Sequence, residues 1–230
     1  MEHWVYTTTI FGHSLSFNMD TLITMWISML LLIFLALLTT RNLQLVPSKL
    51  QLIGESIIKY FNDIAKTSMG NDNAQKHIAI ILTLFMFILT ANLLGQLPLR
   101  LIHLHGGGEL ASPNNDINMT AAMAIVVSIY YIYYGFKANG FKFFFKGFGI
   151  DGLIITFVDT LEIFVRPFSL ALRLFANILA GELLVSTFIG LFSVALPLPF
   201  MLFELFVALI QALVFTLLST TYISMAIQEE

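Results

Sequence analysis

The sequence predicts an all-α integral membrane protein, on two observations. Hydrophobic residues make up 58% of its 230 positions and charged residues only 11%, against roughly 25% charged in a globular protein. Apolar runs also recur along nearly the whole length, and each long one reaches the ~20 residues that a helix needs to cross a ~30 Å hydrocarbon layer. The bilayer is therefore the main solvent. About five membrane-embedded helices are expected, in a single membrane domain covering residues 1–230.

The elements follow in order. Residues 1–20 read as an outer N-terminal segment. The first span covers residues 21–40 (TLITMWISMLLLIFLALLTT) and stops at Arg41. No basic leader or small-residue cleavage site precedes it, so it reads as a retained span and not as a signal peptide. Residues 48–69 form an amphipathic segment on the cytoplasmic side. Leu52, Ile53, Ile57 and Phe61 fall at helical spacing there while Lys49, Lys59 and Lys66 fall elsewhere, a pattern that suits a helix lying on the membrane surface. The next spans cover residues 78–97 and 119–136, the latter with Tyr130, Tyr131, Tyr133 and Tyr134 clustered at one end like an interfacial aromatic belt. Two long helices close the chain, over residues 150–191 and 200–227, separated by a break at Pro197 and Pro199. They are expected to form a hairpin.

Orientation comes from the basic residues. Arg41, Lys49, Lys59, Lys66 and Lys76 fall in the first connection and Lys137, Lys142 and Lys146 in the third, whereas the second holds only Arg100. The excess of Lys and Arg places the first and third connections on the cytoplasmic side. A net charge of −3 without a long basic run argues against nucleic acid as a partner. The absence of cysteine excludes disulfides and thiolate metal sites. No internal repeat is visible, which weighs against inverted-repeat transporters.

The 150–191 helix is apolar for some forty residues, yet it contains Asp159, Glu162, Arg166, Arg173, Asn177 and Glu182. An ionisable residue at that depth is expensive and marks function by default. At 100° per residue, Asp159, Glu162, Arg166, Ser169, Arg173 and Asn177 lie on one stripe, which must face protein or water. Glu182 points to roughly the opposite side and would serve a different aqueous path. On the last helix Glu204, Gln211 and Tyr222 share a face, and the small Ala208 between them lets a neighbouring helix approach. A structural role is open for several of these residues. Glu162 and Arg166, four apart, are suited to pair within their helix, while Asn177 and Gln211 are suited to hold helices together. Arg173 is different. No acid lies three or four residues from it, so its counter-ion must come from another helix or another chain. A carboxyl in apolar surroundings holds its proton more tightly than in water, which suits Glu182 and Glu204 to proton uptake and release.

The string SLALRLFANILAGE at residues 169–182 closely resembles the signature of subunit a of the F-type ATP synthase. Leu161, Arg166 and Pro167 precede it at matching spacing. SPNNDINMTAAMA (112–124) looks like the entry to that family's third span, and LIQALVFTLLSTTYISMA (209–226) resembles its last helix. The resemblance implies an ion-translocating stator in an energy-coupling membrane, most naturally a bacterial plasma membrane. Its partners would be a c-ring, b-type peripheral stalk subunits and the remainder of the synthase, and the two long helices would lie as a tilted hairpin against the ring. Arg173 matches the family's stator arginine. Asn177, Glu182, Glu204, Gln211 and Asp116 match the outer ion path, and Asp159 the inner one, where Glu162 and Ser169 are also assigned. The carried ion is a proton or a sodium ion.

His103 and His105 lie beside three glycines in the second connection, and a metal pair there is not favoured because no further ligand is apparent. No cofactor is expected. The chain has no GxxxxGK[ST] loop, so chemistry on ATP is assigned to other subunits and the chain is not an enzyme by itself. The competing reading is a stand-alone secondary transporter or channel in which Arg173 binds an anionic substrate; a purely structural scaffold is the third.

Overall fold

The computed structural model describes residues 5–10, 13–41, 43–96, 113–140, 150–191 and 197–228, with some side chains inside the strands and helices left undescribed, those of Asp159 and Glu182 among them. Among the described residues five helices are long and apolar enough to cross a membrane, in agreement with the all-α membrane class. A short antiparallel hairpin, β1 (Val5–Ile10) and β2 (His13–Asn18), precedes them.

Helix α1 (Met19–Thr40) turns its polar side inward. Asp20, Thr21, Thr24 and Ser28 are buried, while Trp26, Leu30, Phe34 and Leu37 are exposed. This inversion of a soluble helix follows from the solvent: in lipid the apolar face needs no cover, and hydroxyls must find partners. Thr24 Oγ1 donates to the Asp20 carbonyl (2.9 Å) and Ser28 Oγ to that of Thr24 (2.8 Å).

Helix α2 (Lys49–Met69) starts at Ser48, whose hydroxyl accepts from the Gln51 N–H. It ends at Gly70, whose φ of 79° is open to glycine at little steric cost. Only the second half of its apolar stripe is covered. Phe61, Ala65 and Met69 are buried, whereas Leu52 and Ile53 are exposed. Helix α3 (Asn71–Gln96) follows at once and packs along α2.

A 3-10 turn at Pro113–Asn115 leads into α4 (Ile117–Asn139), then α5 (Ile150–Leu191) and α6 (Pro197–Gln228). The core gathers Ile81, Phe85 and Ile88 of α3, Val127 and Tyr131 of α4, Leu170 and Leu174 of α5, and Phe215 and Ile223 of α6. The four tyrosines expected as an aromatic belt on α4 divide, since Tyr130, Tyr133 and Tyr134 stack on one another while Tyr131 does not join them. Tyr131 is buried in that core, and the Tyr130 hydroxyl lies 2.8 Å from His77 Nδ1, so of the four tyrosines only Tyr133 is exposed.

Forty-two residues of α5 extend about 63 Å, twice the hydrocarbon thickness, so α5 must incline strongly if it stays in the bilayer. Helices α5 and α6 run antiparallel. Gly181 meets Glu204 near the hairpin end, and Arg166 lies over the Tyr222 ring (5.1 Å to the centroid) towards the other.

Candidate functional site

Pro167 sits inside α5. Proline has no N–H, so the carbonyl of Ile163, four residues earlier, loses its helical donor. The Tyr131 hydroxyl of α4 donates to that carbonyl at 3.3 Å. The helix therefore continues through the proline, and the polar residues on either side stay in register. Glu162 and Arg166, one turn apart, form an ion pair. The structural role left open for this pair is thus realised, with Tyr222 beneath the guanidinium.

Arg173 lies on the border between two faces of α5. Leu170, Leu174 and Ile178 are buried on one side, and Leu161, Phe168 and Leu172 are exposed on the other. Its own side chain is exposed, and among the described residues it takes part in no ion pair. The neighbouring face of α6 adds exposed Leu202, Phe203, Phe206, Leu209 and Ile210. A cation thus emerges onto an apolar wall built from two helices. Ser169 and Asn177 are half-buried along the same stripe. The side chains of Asp159 and Glu182, and all of His103 and His105, lie outside the described residues. Among the described residues no group of three or more metal-ligating side chains occurs.

On α6, Glu204 is half-buried and Gln211 buried, with Ala208 between them also buried. A Cβ added at Gly181 would stand 2.7 Å from Glu204 Oε1, so the absence of a side chain at 181 is what lets the carboxyl lie against α5. Gln211 Nε2 and the Thr216 hydroxyl are buried without a hydrogen-bond partner, an arrangement that invites water, since buried polar groups without partners are rare.

The sequence reading missed two residues that connect this face to the rest of the chain. Asn114 Nδ2 donates to Asn92 Oδ1 (2.6 Å), and Asn92 Nδ2 donates to the Ala208 carbonyl (3.2 Å). Both asparagines are buried, and Asn114 Oδ1 is itself unpaired. A polar thread thus runs from the turn before α4, across α3, to α6 one turn from Gln211. Asn92 stands alone in an apolar run, which was the available signal. Asp116 does not join that thread through its described bonds. It caps α4, accepting from the Asn118 N–H (2.8 Å) and side-chain amide (3.0 Å), and takes a further bond from Asn18 Nδ2 (2.6 Å).

The family model described as ATP synthase A chain matches residues 22–224. A protein of Gloeobacter violaceus named ATP synthase subunit a is 44% identical over 215 residues, covering 94% of this chain and 86% of that protein. With Arg173 on its two-helix wall inside the matched region, the chain belongs to the ATP synthase A chain family.

Proposed function

We propose that this chain is the ion-translocating stator of a rotary ATP synthase, guiding protons or sodium ions through two offset half-channels past a turning c-ring. The observation that carries the proposal is Arg173, a cation exposed on an apolar wall without an ion-pair partner among the described residues. In lipid-like surroundings a charge demands a counter-ion, because attraction between opposite charges is far stronger there than in water. A carboxylate arriving on a ring helix supplies it. The arginine does not lose its proton, so it draws each carboxyl into its ionised state and bars direct passage between the half-channels.

The outer path is assigned to Glu182, Glu204, Asn177, Gln211 and Asp116, and the inner one to Asp159, Glu162 and Ser169. The exposed apolar faces of α5 and α6 form the track for the ring, and the peripheral stalk holds the chain against torque. Each charge moved releases about 2.3 kcal/mol per 100 mV, so several must pass for every ATP. A bacterial plasma membrane fits the origin of the relative from Gloeobacter.

The chain has no cysteine, so single cysteines report cleanly. Cysteine at Leu172 or Ala176, beside Arg173, is expected to cross-link in the assembled synthase to the ring helix that bears the carboxylate. Uptake by the purified chain without a rotor, together with no cross-link, would instead favour a stand-alone transporter.

A further inference from the structure

We infer that the crossing of α1, α2 and α3 is a binding site for one anionic diacyl phospholipid. A cavity of about 430 Å³ opens there, lined by Ile33 and Ala36 of α1, Gly54 and Ile58 of α2, and Leu82 and Met86 of α3. Its volume lies in the range of small-ligand pockets. It is also no more than about one turn of an α-helix with side chains, so a spanning helix of a partner does not fit inside it whereas an acyl chain does. The lining includes three threonines, and each hydroxyl is bonded to its own helix: Thr39 to Leu35, Thr40 to Ala36 and Thr83 to Ala79, all at 2.8 Å. Methyl groups are what remain for a ligand. At Gly54 the helices α1 and α2 approach closely, since a Cβ there would stand 3.0 Å from Thr39 Cγ2.

Two cations lie beyond the lining on the helices that carry it. Arg41 directly follows the two threonines of α1. Lys76 lies on the same stripe of α3 as Thr83 and Met86, about 10 Å along the axis from Thr83. Both cations are exposed, and neither takes part in an ion pair among the described residues. The acid nearest on α2, Glu55, already accepts from Gln51 (2.8 Å). Cations beyond an apolar slot between helices supply the chemistry that retains a phosphate headgroup with its tail.

The test places a tryptophan in the slot (Ile58→Trp) after Trp4→Phe and Trp26→Phe. The full chain, alone and in the assembled synthase, is set in nanodiscs with a small fraction of brominated phosphatidylglycerol or brominated phosphatidylcholine. Quenching by the anionic lipid is expected at about 25-fold lower mole fraction, since each of the two basic residues near an anionic headgroup supplies about fivefold. Arg41→Gln should weaken that preference and Arg41→Gln with Lys76→Gln should abolish it, and Thr83→Phe should abolish quenching by both lipids. Ala36→Phe fills the slot from the opposite wall and serves where Thr83→Phe does not fold. Equal quenching by the two lipids, or a preference untouched by Arg41→Gln, overturns the headgroup assignment. Quenching of the lone chain that vanishes in the assembled synthase overturns the lipid as native occupant in favour of a partner subunit.

Discussion

The Tyr131 hydroxyl donates to the Ile163 carbonyl across 3.3 Å, and Pro167 is the reason that carbonyl is available. A proline in a spanning helix is tolerated when a neighbour re-satisfies the freed backbone. Here the neighbour is a buried tyrosine on α4, and the carbonyl it meets is next in the chain to Glu162, which pairs with Arg166. Tyr131→Phe should therefore destabilise the chain by about 1 kcal/mol. Pro167→Ala restores the helical N–H, so Tyr131→Phe in that background should have a smaller effect. Denaturant titration of the four proteins in detergent gives the coupling, and additive effects would refute the link.

Arg173 is exposed and unpaired within the described chain, so its removal should leave folding nearly untouched, within about 0.5 kcal/mol. The loss should fall on coupling. A ring carboxylate left without a counter-ion at membrane depth faces a penalty of about 2.5–3.5 kcal/mol, which slows ion-driven ATP synthesis by about 100-fold or more. Thermal unfolding of Arg173→Ala alongside ATP synthesis in proteoliposomes separates the two effects. Preserved synthesis would contradict the stator reading.

The contact between Gly181 and Glu204 separates position from stability in another way. A Cβ at 181 meets the end of a flexible side chain, 2.7 Å from Oε1 and 3.1 Å from Cγ. Gly181→Ala should displace the Glu204 carboxyl and leave the helices packed. Ion-pumping rate is expected to fall and its pH optimum to move, with an unfolding midpoint close to the parent's. An unchanged pH profile would show that the placement of Glu204 is immaterial to transport.

Much of this architecture was readable in residue order, for physical reasons that also explain the gaps. Apolar length betrays a span, because hydrocarbon thickness fixes how many residues a crossing needs. The border position of Arg173 and the buried face of Ala208 and Gln211 follow helical periodicity, a local rule. Asn92 escaped notice because its partners, Asn114 and Ala208, lie 22 and 116 positions away. The inward hydroxyls of α1 were equally hidden, since Thr21, Thr24 and Ser28 acquire meaning only once another helix covers them. Of the four neighbouring tyrosines, Tyr130, Tyr133 and Tyr134 do stack together, and only Tyr131 turns to the core, a choice that depends on which helix covers it.

Asn92 links three elements and is fully enclosed, so Asn92→Leu should leave both Asn114 and the Ala208 carbonyl short of a partner. A loss of about 1–3 kcal/mol is expected for stranding such buried groups. Asn92→Ala, which opens room for a water, should lose less. Denaturation midpoints of the two variants rank them, and the reverse order would show that the thread contributes nothing through hydrogen bonding.

Asp116 presents a choice between two roles that chemistry can separate. Its carboxylate caps α4 through the Asn118 N–H and receives Asn18 Nδ2. A capping side chain needs an acceptor oxygen but no charge, and asparagine caps about as well as aspartate. An ion-path acid needs a proton it can exchange, which an amide lacks. Asp116→Ala should destabilise the chain by about 0.5–2 kcal/mol, while Asp116→Asn should hold close to the parent in stability. If Asp116→Asn also keeps full ion-driven ATP synthesis, the residue acts as a cap alone. If synthesis falls at unchanged stability, the carboxylate exchanges ions at the outer entrance, and the fall should deepen as the outer pH rises and protons become scarce.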